Sequence, residues 1–281
     1  MKPYIVLDKK IGETPLSCAE DWRTTNPEYK DVPLAYAGRL DPMASGKLLI
    51  LIGDECKNQT NYHGLDKAYE FSVLFGIESD SLDVLGRLTT CITRDNELFD
   101  CVRLGLAPRS AQSESSIIDE LVGNIELPYP RFSAKTVQGK PLHMWTLEGR
   151  LNEIEIPTKE STIYSLALDR IETISKEKLV EQALEKINSI PEVTDPRKAL
   201  GNDFRRVDVR QDWNTILENK KLPEEFQIAH FSCIASSGTY MRTLASIIAG
   251  KLDTCGLAWS IHRTNIGIYN PKTKTWDVEY K

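Results

Sequence analysis

The sequence has no long apolar run. Its longest, Leu48-Leu49-Ile50-Leu51-Ile52, falls far short of the roughly 18 residues that a membrane-spanning helix requires. Nor does it carry a basic excess: 35 Lys and Arg against 41 Asp and Glu leave a formal charge of −6 and a pI of about 5.4. That balance excludes a protein that coats nucleic acid by bulk charge, though not a local basic cleft on an acidic body. Histidine is scarce, with four in the chain. The six cysteines (18, 56, 91, 101, 233 and 255) form no Cys-x-x-Cys pair and have no histidine at ligand spacing, so no metal site is expected. The opening Met1-Lys2-Pro3-Tyr4-Ile5-Val6-Leu7-Asp8 reaches charge too early for a secretory signal. A cytoplasmic protein with free, reduced thiols is therefore expected. Gly46-Lys47 and Gly53 lack the rest of a Gly-x4-Gly-Lys-[Ser/Thr] loop, which sets aside a phosphate-loop enzyme.

What is present is an ordinary globular balance, 41% hydrophobic and 27% charged over 281 residues, enough to bury a sizeable core. Tyr4 to Asp8 reads as a strand, and Ser17 to Trp22 as a helix start capped by Thr14 or Ser17. Lys47 to Ile52 reads as an apolar strand. Lys67 to Gly76 alternates with period two, the mark of a half-buried strand. Ser115 to Val122 reads as a helix closed by Gly123-Asn124. Residues 171–225 are rich in Lys, Glu, Asp and Asn and read as helix plus a polar connection, with 191–210 as a mobile middle. Phe226 to Ala235 returns to strand, Met241 to Ile248 reads as a helix ended by Gly250, and Ala258 to Tyr269 as strand. Strands and helices mix without a βαβ rhythm, which points to an α+β fold.

The densest cluster of turn-formers and charge is Gly38-Arg39-Leu40-Asp41-Pro42-Met43-Ala44-Ser45-Gly46. A residue before proline is biased away from the helical region, so Asp41 is held on an extended loop. Such a carboxylate can serve as a nucleophile or a general base. It can also merely cap an Asx-turn.

The stretch Ala35-Tyr36-Ala37-Gly38-Arg39-Leu40-Asp41-Pro42-Met43-Ala44-Ser45-Gly46-Lys47-Leu48 resembles the central motif of the TruB family of pseudouridine synthases, roughly G-H-x-G-x-L-D-P-x-A-x-G-x-L. Further matches follow in order. Lys67-Ala68-Tyr69 is similar to the family's K-x-Y. Phe75 to Gly86, with Ser79-Asp80-Ser81-Leu82-Asp83, looks like its G-x-x-T-D-T-x-D-x-x-G segment. Pro130-Arg131-Phe132-Ser133-Ala134 looks like P-x-[FY]-S-A, with Gly139-Lys140 after it. Gly238-Thr239-Tyr240-Met241-Arg242-Thr243-Leu244 is close to G-T-Y-[IV]-R-[TS]-L, and Ile261-His262-Arg263 stands where the family has L-R-R. The ordered co-occurrence of these motifs across residues 4–269 is far more specific than any one of them.

The resemblance implies a single pseudouridine synthase domain. Its long, mostly antiparallel mixed sheet would be flanked by helices and crossed by an RNA cleft with Asp41 at its floor. It implies an isomerase of RNA modification that cuts the N1–ribose bond of a uridine, turns the base and rejoins it through C5. The family target is uridine 55 in the T-arm of tRNA. Asp41 would be the catalytic aspartate, attacking ribose C1′ or removing the C2′ proton. Tyr69 would stack on the flipped uracil, Arg242 would pair with Asp41, and Ile261 would pad the base pocket. Arg39, Lys9, Lys10, Arg131, Lys135 and Lys140 are the candidate RNA contacts. A redox-neutral isomerisation calls for no metal or organic cofactor, and the expected partner of a monomeric enzyme is tRNA. Reaching the N1–C1′ bond requires flipping the base out of its stack, which costs a few kcal/mol.

The sequence departs from the family pattern in places. Tyr36 stands where a histidine helps fill the space left by the flipped base. Thr136 falls where a lysine is usual, and Ser237 replaces the common lysine before Gly238. The charged stretch near 171–225 has no family counterpart. The C-terminal RNA-binding PUA-type module usual in bacterial members has no equivalent in the short remainder after Tyr269.

Overall fold

A computed structural model describes residues 2–91, 117–192 and 203–281. In chain order the elements are β1 (Tyr4–Lys9), α1 (Pro15–Thr25), β2 (Leu34–Ala37), β3 (Ala44–Ile52), β4 (Asp66–Phe75), β5 (Ile77–Ser79), β6 (Leu88–Thr90), β7 (Gly123–Pro128), β8 (Thr136–Val137), β9 (Lys140–Pro141), α2 (Leu142–Leu147), β10 (Thr158–Ser175), α3 (Lys176–Asn188), α4 (Arg206–Glu218), β11 (Glu225–Ala235), α5 (Met241–Lys251), β12 (Gly256–Asn270) and β13 (Thr275–Glu279). Nine strands form one mixed sheet in the order β1-β3-β12-β4-β11-β10-β7, with β2 added to β3 and β13 to β12. The expected α+β class, with a long mixed sheet and flanking helices, holds.

The apolar run of β3 has a physical reason. Leu48 and Ile50 pack with Cys18 and Ala19 of α1, while Leu49 and Leu51 pack with Ala37, Leu65 and Ile266. A strand covered on both faces loses the polar half of its alternation. At the sheet centre, Phe71, Val73 and Phe75 of β4 meet Leu244, Ala245 and Ile248 of α5. On the other face Leu74 meets Leu179, Val180 and Ala183 of α3 and Val209 and Trp213 of α4. The long strands β10 and β12 bend through register shifts, at 163–165 and 168–170 in one and at 258–260 and 263–265 in the other, as bulges permit.

One junction positions the rest. The pairings between neighbouring strands are antiparallel except that of β3 with β12, which runs parallel over Ala44–Gly46 and Ile261–Arg263. That junction lays the turn around Asp41 beside Ile261. Gly46 sits in it at φ +99°, and a Cβ there would lie 2.3 Å from the Arg263 carbonyl oxygen, so only glycine fits.

Several sequence expectations need correction. Thr14 does cap α1, in a reciprocal box with Ser17. The helix expected at 115–122 is instead a single 3-10 turn, Asp119–Leu121, since Gly123-Asn124 pair with β10 as the start of β7; residues 115 and 116 lie outside the described residues. Residues 171–175 belong to β10 rather than to a helical insertion. Of the expected mobile middle, 193–202 lies outside the described residues. Helix α5 runs past Gly250 to Lys251.

The thiols are not all free either. Cys91 and Cys255 are joined in a disulfide, because the β5–β6 hairpin lies against the start of β12, with Cys91 N donating to Gly76 O and Gly76 N to Cys255 O. Cys18, Cys56 and Cys233 are free, and Cys101 lies outside the described residues.

Lys186 near the end of α3 is a cation whose charge its surroundings oppose. Its ammonium lies 3.5 Å from the Trp259 ring centroid and donates to the Trp259 carbonyl, and burial pulls its pKa down to about 7. In the unfolded chain it titrates near 10.4. Its charge therefore opposes folding fully below about pH 7, and that cost fades as pH rises toward 10. Lys186→Met is expected to be the more stable protein at pH 7, by on the order of 2 kcal/mol after the lost cation–π contact and hydrogen bond are offset. Thermal unfolding of both proteins from pH 7 to pH 10 checks this: the gap between them should narrow as pH rises, and a constant gap refutes the account.

Candidate active site

Asp41 opens a tight turn, Asp41-Pro42-Met43-Ala44, closed by Ala44 N donating to Asp41 O at 2.9 Å. Proline at the second position presets that turn. Two further ties hold it. Gly12 N donates to Pro42 O at 2.9 Å, and Lys9 Nζ donates to Ala44 O at 2.6 Å. Arg263 from β12 braces the approach to the turn. It is 1% exposed and donates to the carbonyls of Lys47, Gly38 and Arg39. The backbone on both sides of Asp41 is thus pinned, and its carboxylate, 43% exposed, is left free to face solvent.

The partner of that carboxylate comes from α5. Arg242 Nε lies 2.8 Å from Asp41 Oδ2, and the guanidinium is 6% exposed. The N–H is off the line to the oxygen, so the contact is an ion pair rather than an aligned hydrogen bond, a geometry that substrate binding commonly tightens. The other two nitrogens are aligned: Nη1 donates to Ser81 O at 2.8 Å and Nη2 to Phe132 O at 3.2 Å. A second carboxylate, Asp83, lies 3.9 Å from Arg242 Nε and is equally buried. Ser81 Oγ and Leu85 N donate to it. Burial pushes the Asp83 carboxyl above its ordinary pKa even with Arg242 beside it. Burial would pull the Arg242 guanidinium down, but Asp41 and Asp83 outweigh it and hold its pKa up. The result is one buried cation between a buried carboxylate and an exposed one, with the exposed one aimed by the contact.

Tyr69 of β4 and Ile261 of β12 stand beside this pair in one apolar cluster with Leu40, Ala44 and Phe71. Burial pushes the Tyr69 hydroxyl above its ordinary pKa, and its hydrogen bond with Arg263 works the other way. Tyr69 is thus a neutral phenol beside a pinned aspartate, with its ring partly exposed.

The sequence pattern of the TruB family pseudouridylate synthase N-terminal domain matches residues 29–181, more than half of the chain. The chain belongs to the TruB family. Among its curated relatives, tRNA pseudouridine synthase B of Caldicellulosiruptor saccharolyticus is 27% identical over 276 residues, covering 97% of this chain and 70% of that protein. tRNA pseudouridine synthase 4 of Saccharomyces cerevisiae is 26% identical over 269 residues, covering 84% of this chain and 63% of that protein. The chain thus spans roughly two thirds of the length of these relatives. Among solved structures, a Cbf5–Nop10–Gar1 complex aligns with a TM-score of 0.46 at 14% identity, over 94% of this chain and 48% of the other.

In the candidate site the structure brings together Asp41, Arg242, Tyr69 and Ile261, which the motifs place far apart in the chain. Four other expected residues are exposed groups. Lys10, Arg39, Arg131 and Lys135 are exposed, with Arg39 over the Tyr36 ring at 5.8 Å and Lys135 over the Tyr129 ring at 4.9 Å.

Lys9 is a correction. It is fully buried, and burial lowers its pKa to about 8, so it braces the Asp41 turn instead of meeting phosphate. Lys140 is already engaged, paired with Glu148 at 2.6 Å and set over Trp145 at 4.3 Å. Tyr36 packs on the side of Leu48, Ile50 and α1, with Arg39 above it.

Two residues with evident work in the site carried no assigned role in the sequence reading. Asp83 is the second aspartate of the Ser79–Gly86 segment, and Arg263 follows Ile261 by two. Both lay in quoted motifs, but a buried side chain whose partners are distant in the chain leaves no signature in a single sequence.

Proposed function

We propose that the protein is a tRNA pseudouridine synthase that isomerises uridine 55 in the T-arm, with Asp41 as its catalytic residue. The observation that carries this reading is the Asp41–Arg242 pair. It is an aspartate on a rigid turn, held by a buried cation and flanked by an aromatic ring and an apolar wall that can receive a flipped base. Membership of a family of pseudouridylate synthases supports the reaction, and the names of the curated relatives support tRNA as the substrate.

In this reading the uracil leaves its stack and lies against Tyr69, with Ile261 closing the pocket. Stacking on an aromatic side chain is worth about 1–3 kcal/mol per base, which offsets much of the cost of flipping. Asp41, aimed by Arg242, then acts on the ribose, at C1′ or at the C2′ proton. The N1–C1′ bond breaks, the base turns, C5 bonds to C1′ as Asp41 is released, the proton on C5 is lost to solvent, and N1 takes up a proton in its place. Nothing is oxidised or reduced. The exposed Lys10, Arg39, Arg131 and Lys135 supply phosphate contacts on a body whose net charge is negative, so recognition rests on loop shape and stacking more than on bulk attraction. The enzyme works as a cytoplasmic monomer.

Loss of the C5 proton gives the test. With [5-³H]uridine-labelled tRNA transcripts, tritium release is expected from wild-type protein and should vanish when uridine 55 is replaced. Release that persists after that replacement moves the target to another site. Binding without any release supports a tRNA-binding or tRNA-folding role in place of catalysis.

A further inference from the structure

The TruB family match ends at residue 181, within α3. Helix α4 and the turn before it lie outside the matched span. They nevertheless bear directly on the loop that orients Arg242.

Arg205 is the point of contact. Both oxygens of Asp80 accept from its Nη2 at 2.8 Å. The same guanidinium lies over the Phe132 ring, 4.7 Å from its centroid, and the Phe204 ring meets Phe132 edge-on. Asp80 immediately precedes Ser81, whose carbonyl accepts from Arg242 Nη1. The Phe132 carbonyl accepts from Arg242 Nη2. A single side chain from outside the matched span therefore grips both backbone segments that aim the Arg242 guanidinium.

The loop after β5 is braced at other points by the same helix. Trp213 donates to Val84 O at 3.1 Å. Asp212 accepts from Arg87 Nε at 2.6 Å and from Leu88 N at 3.1 Å. The turn that presents Arg205 is unusual in itself: Asp203, Phe204 and Arg205 all have positive φ, 48°, 52° and 67°. Three consecutive left-handed residues without glycine persist only where their surroundings over-determine them. Here Arg206 holds the turn from behind, with Nε on Asp203 O at 3.1 Å and Nη2 on the Asp203 carboxylate.

We propose that Arg205 is a positioning residue. Through Asp80–Ser81 and Phe132 it sets the orientation of Arg242, and through Arg242 that of Asp41. This rests on the functional reading above. A planar cation that pairs with a carboxylate on one edge and stacks on a ring with its face does two things that lysine cannot do together.

The test uses the full chain and the tritium assay. Arg205→Ala is expected to lower kcat about tenfold while KM for the tRNA transcript stays within about twofold. Arg205→Lys should recover part of the loss, since it keeps the ion pair but not the stack. Asp80→Asn should also lower kcat, and the Asp80→Asn/Arg205→Ala double variant should be no slower than Arg205→Ala alone, because both changes cut one linkage. An unchanged kcat with a raised KM, or losses that multiply in the double variant, overturns the inference.

A readout free of activity separates this outcome from a failure of the functional reading. In side-chain ¹⁵N NMR the Arg242 Nε–H resonance should be sharp in wild type and shifted or broadened in Arg205→Lys, a variant that retains the ion pair and the fold. Its persistence unchanged overturns the positioning role whether or not the chain turns over RNA. A wild-type chain that releases no tritium overturns only the functional reading.

Discussion

Asp41→Asn is expected to reduce turnover by about 10³-fold or more, with RNA affinity within about threefold of wild type and little change in thermal stability. The substitution keeps the shape of the side chain and removes its charge, so the loss falls on the group that acts on the ribose. Affinity is expected to hold because, in the proposed reading, Tyr69, Ile261 and the exposed cations contact the RNA independently of the carboxylate. Stability is preserved because Asp41 is 43% exposed and Arg242 retains Asp83. Single-turnover tritium release, filter binding and thermal unfolding measure the three quantities. Residual turnover above about one per cent of wild type would remove Asp41 from the chemistry.

Arg242→Ala is expected to do what Asp41→Asn does not, lowering activity and stability together. Its removal strands the buried Asp83 and takes the donor from two carbonyls, the buried Ser81 O and the half-buried Phe132 O. Breaking a buried pair by deleting one partner costs about 3–5 kcal/mol, because the remaining charge is uncompensated. The pH dependence follows with a definite sign. Burial already holds the Asp83 carboxyl above its unfolded pKa, and loss of Arg242 raises it further. The folded variant then binds more protons than the unfolded chain, so its stability increases as pH falls from 7 toward 5. Adding Asp83→Asn should restore stability at pH 7 but not turnover, since an amide needs no counter-charge whereas Asp41 still lacks its cation. If the double variant melts no higher than Arg242→Ala alone, the stranded charge is not the cause of the loss.

Much of the candidate site is legible in the sequence. Asp41 announced itself through the Asp-Pro turn and the glycines around it, and Tyr69, Arg242 and Ile261 through ordered motifs. The strands β1, β3, β4, β11 and β12 followed from alternation and apolar runs, because a half-buried or fully buried strand imprints its burial on the residue pattern. Where local pattern met long-range pairing, it lost. Residues 123–124 read as a helix stop because Gly-Asn commonly closes helices, yet they pair with β10. The disulfide joins cysteines 164 positions apart, and no spacing rule reaches that far. Lys9 read as a surface cation because lysine usually is one, and only its burial beneath the Asp41 turn shows it to be a brace.

The division has a physical basis. Residue order alone determined which chemistry the chain carries, since an aspartate before proline and a tyrosine in an alternating strand are local requirements written into neighbouring positions. Tertiary structure alone decided how that chemistry is held. The cation that aims Asp41 rests on carbonyls from two distant loops, the carboxylate that balances it comes from one of those same loops, and the Arg205 contact arrives from outside the family's matched span. Contacts of that kind are satisfied by any residue of the right size and charge at a point in space, and a point in space has no address in a sequence.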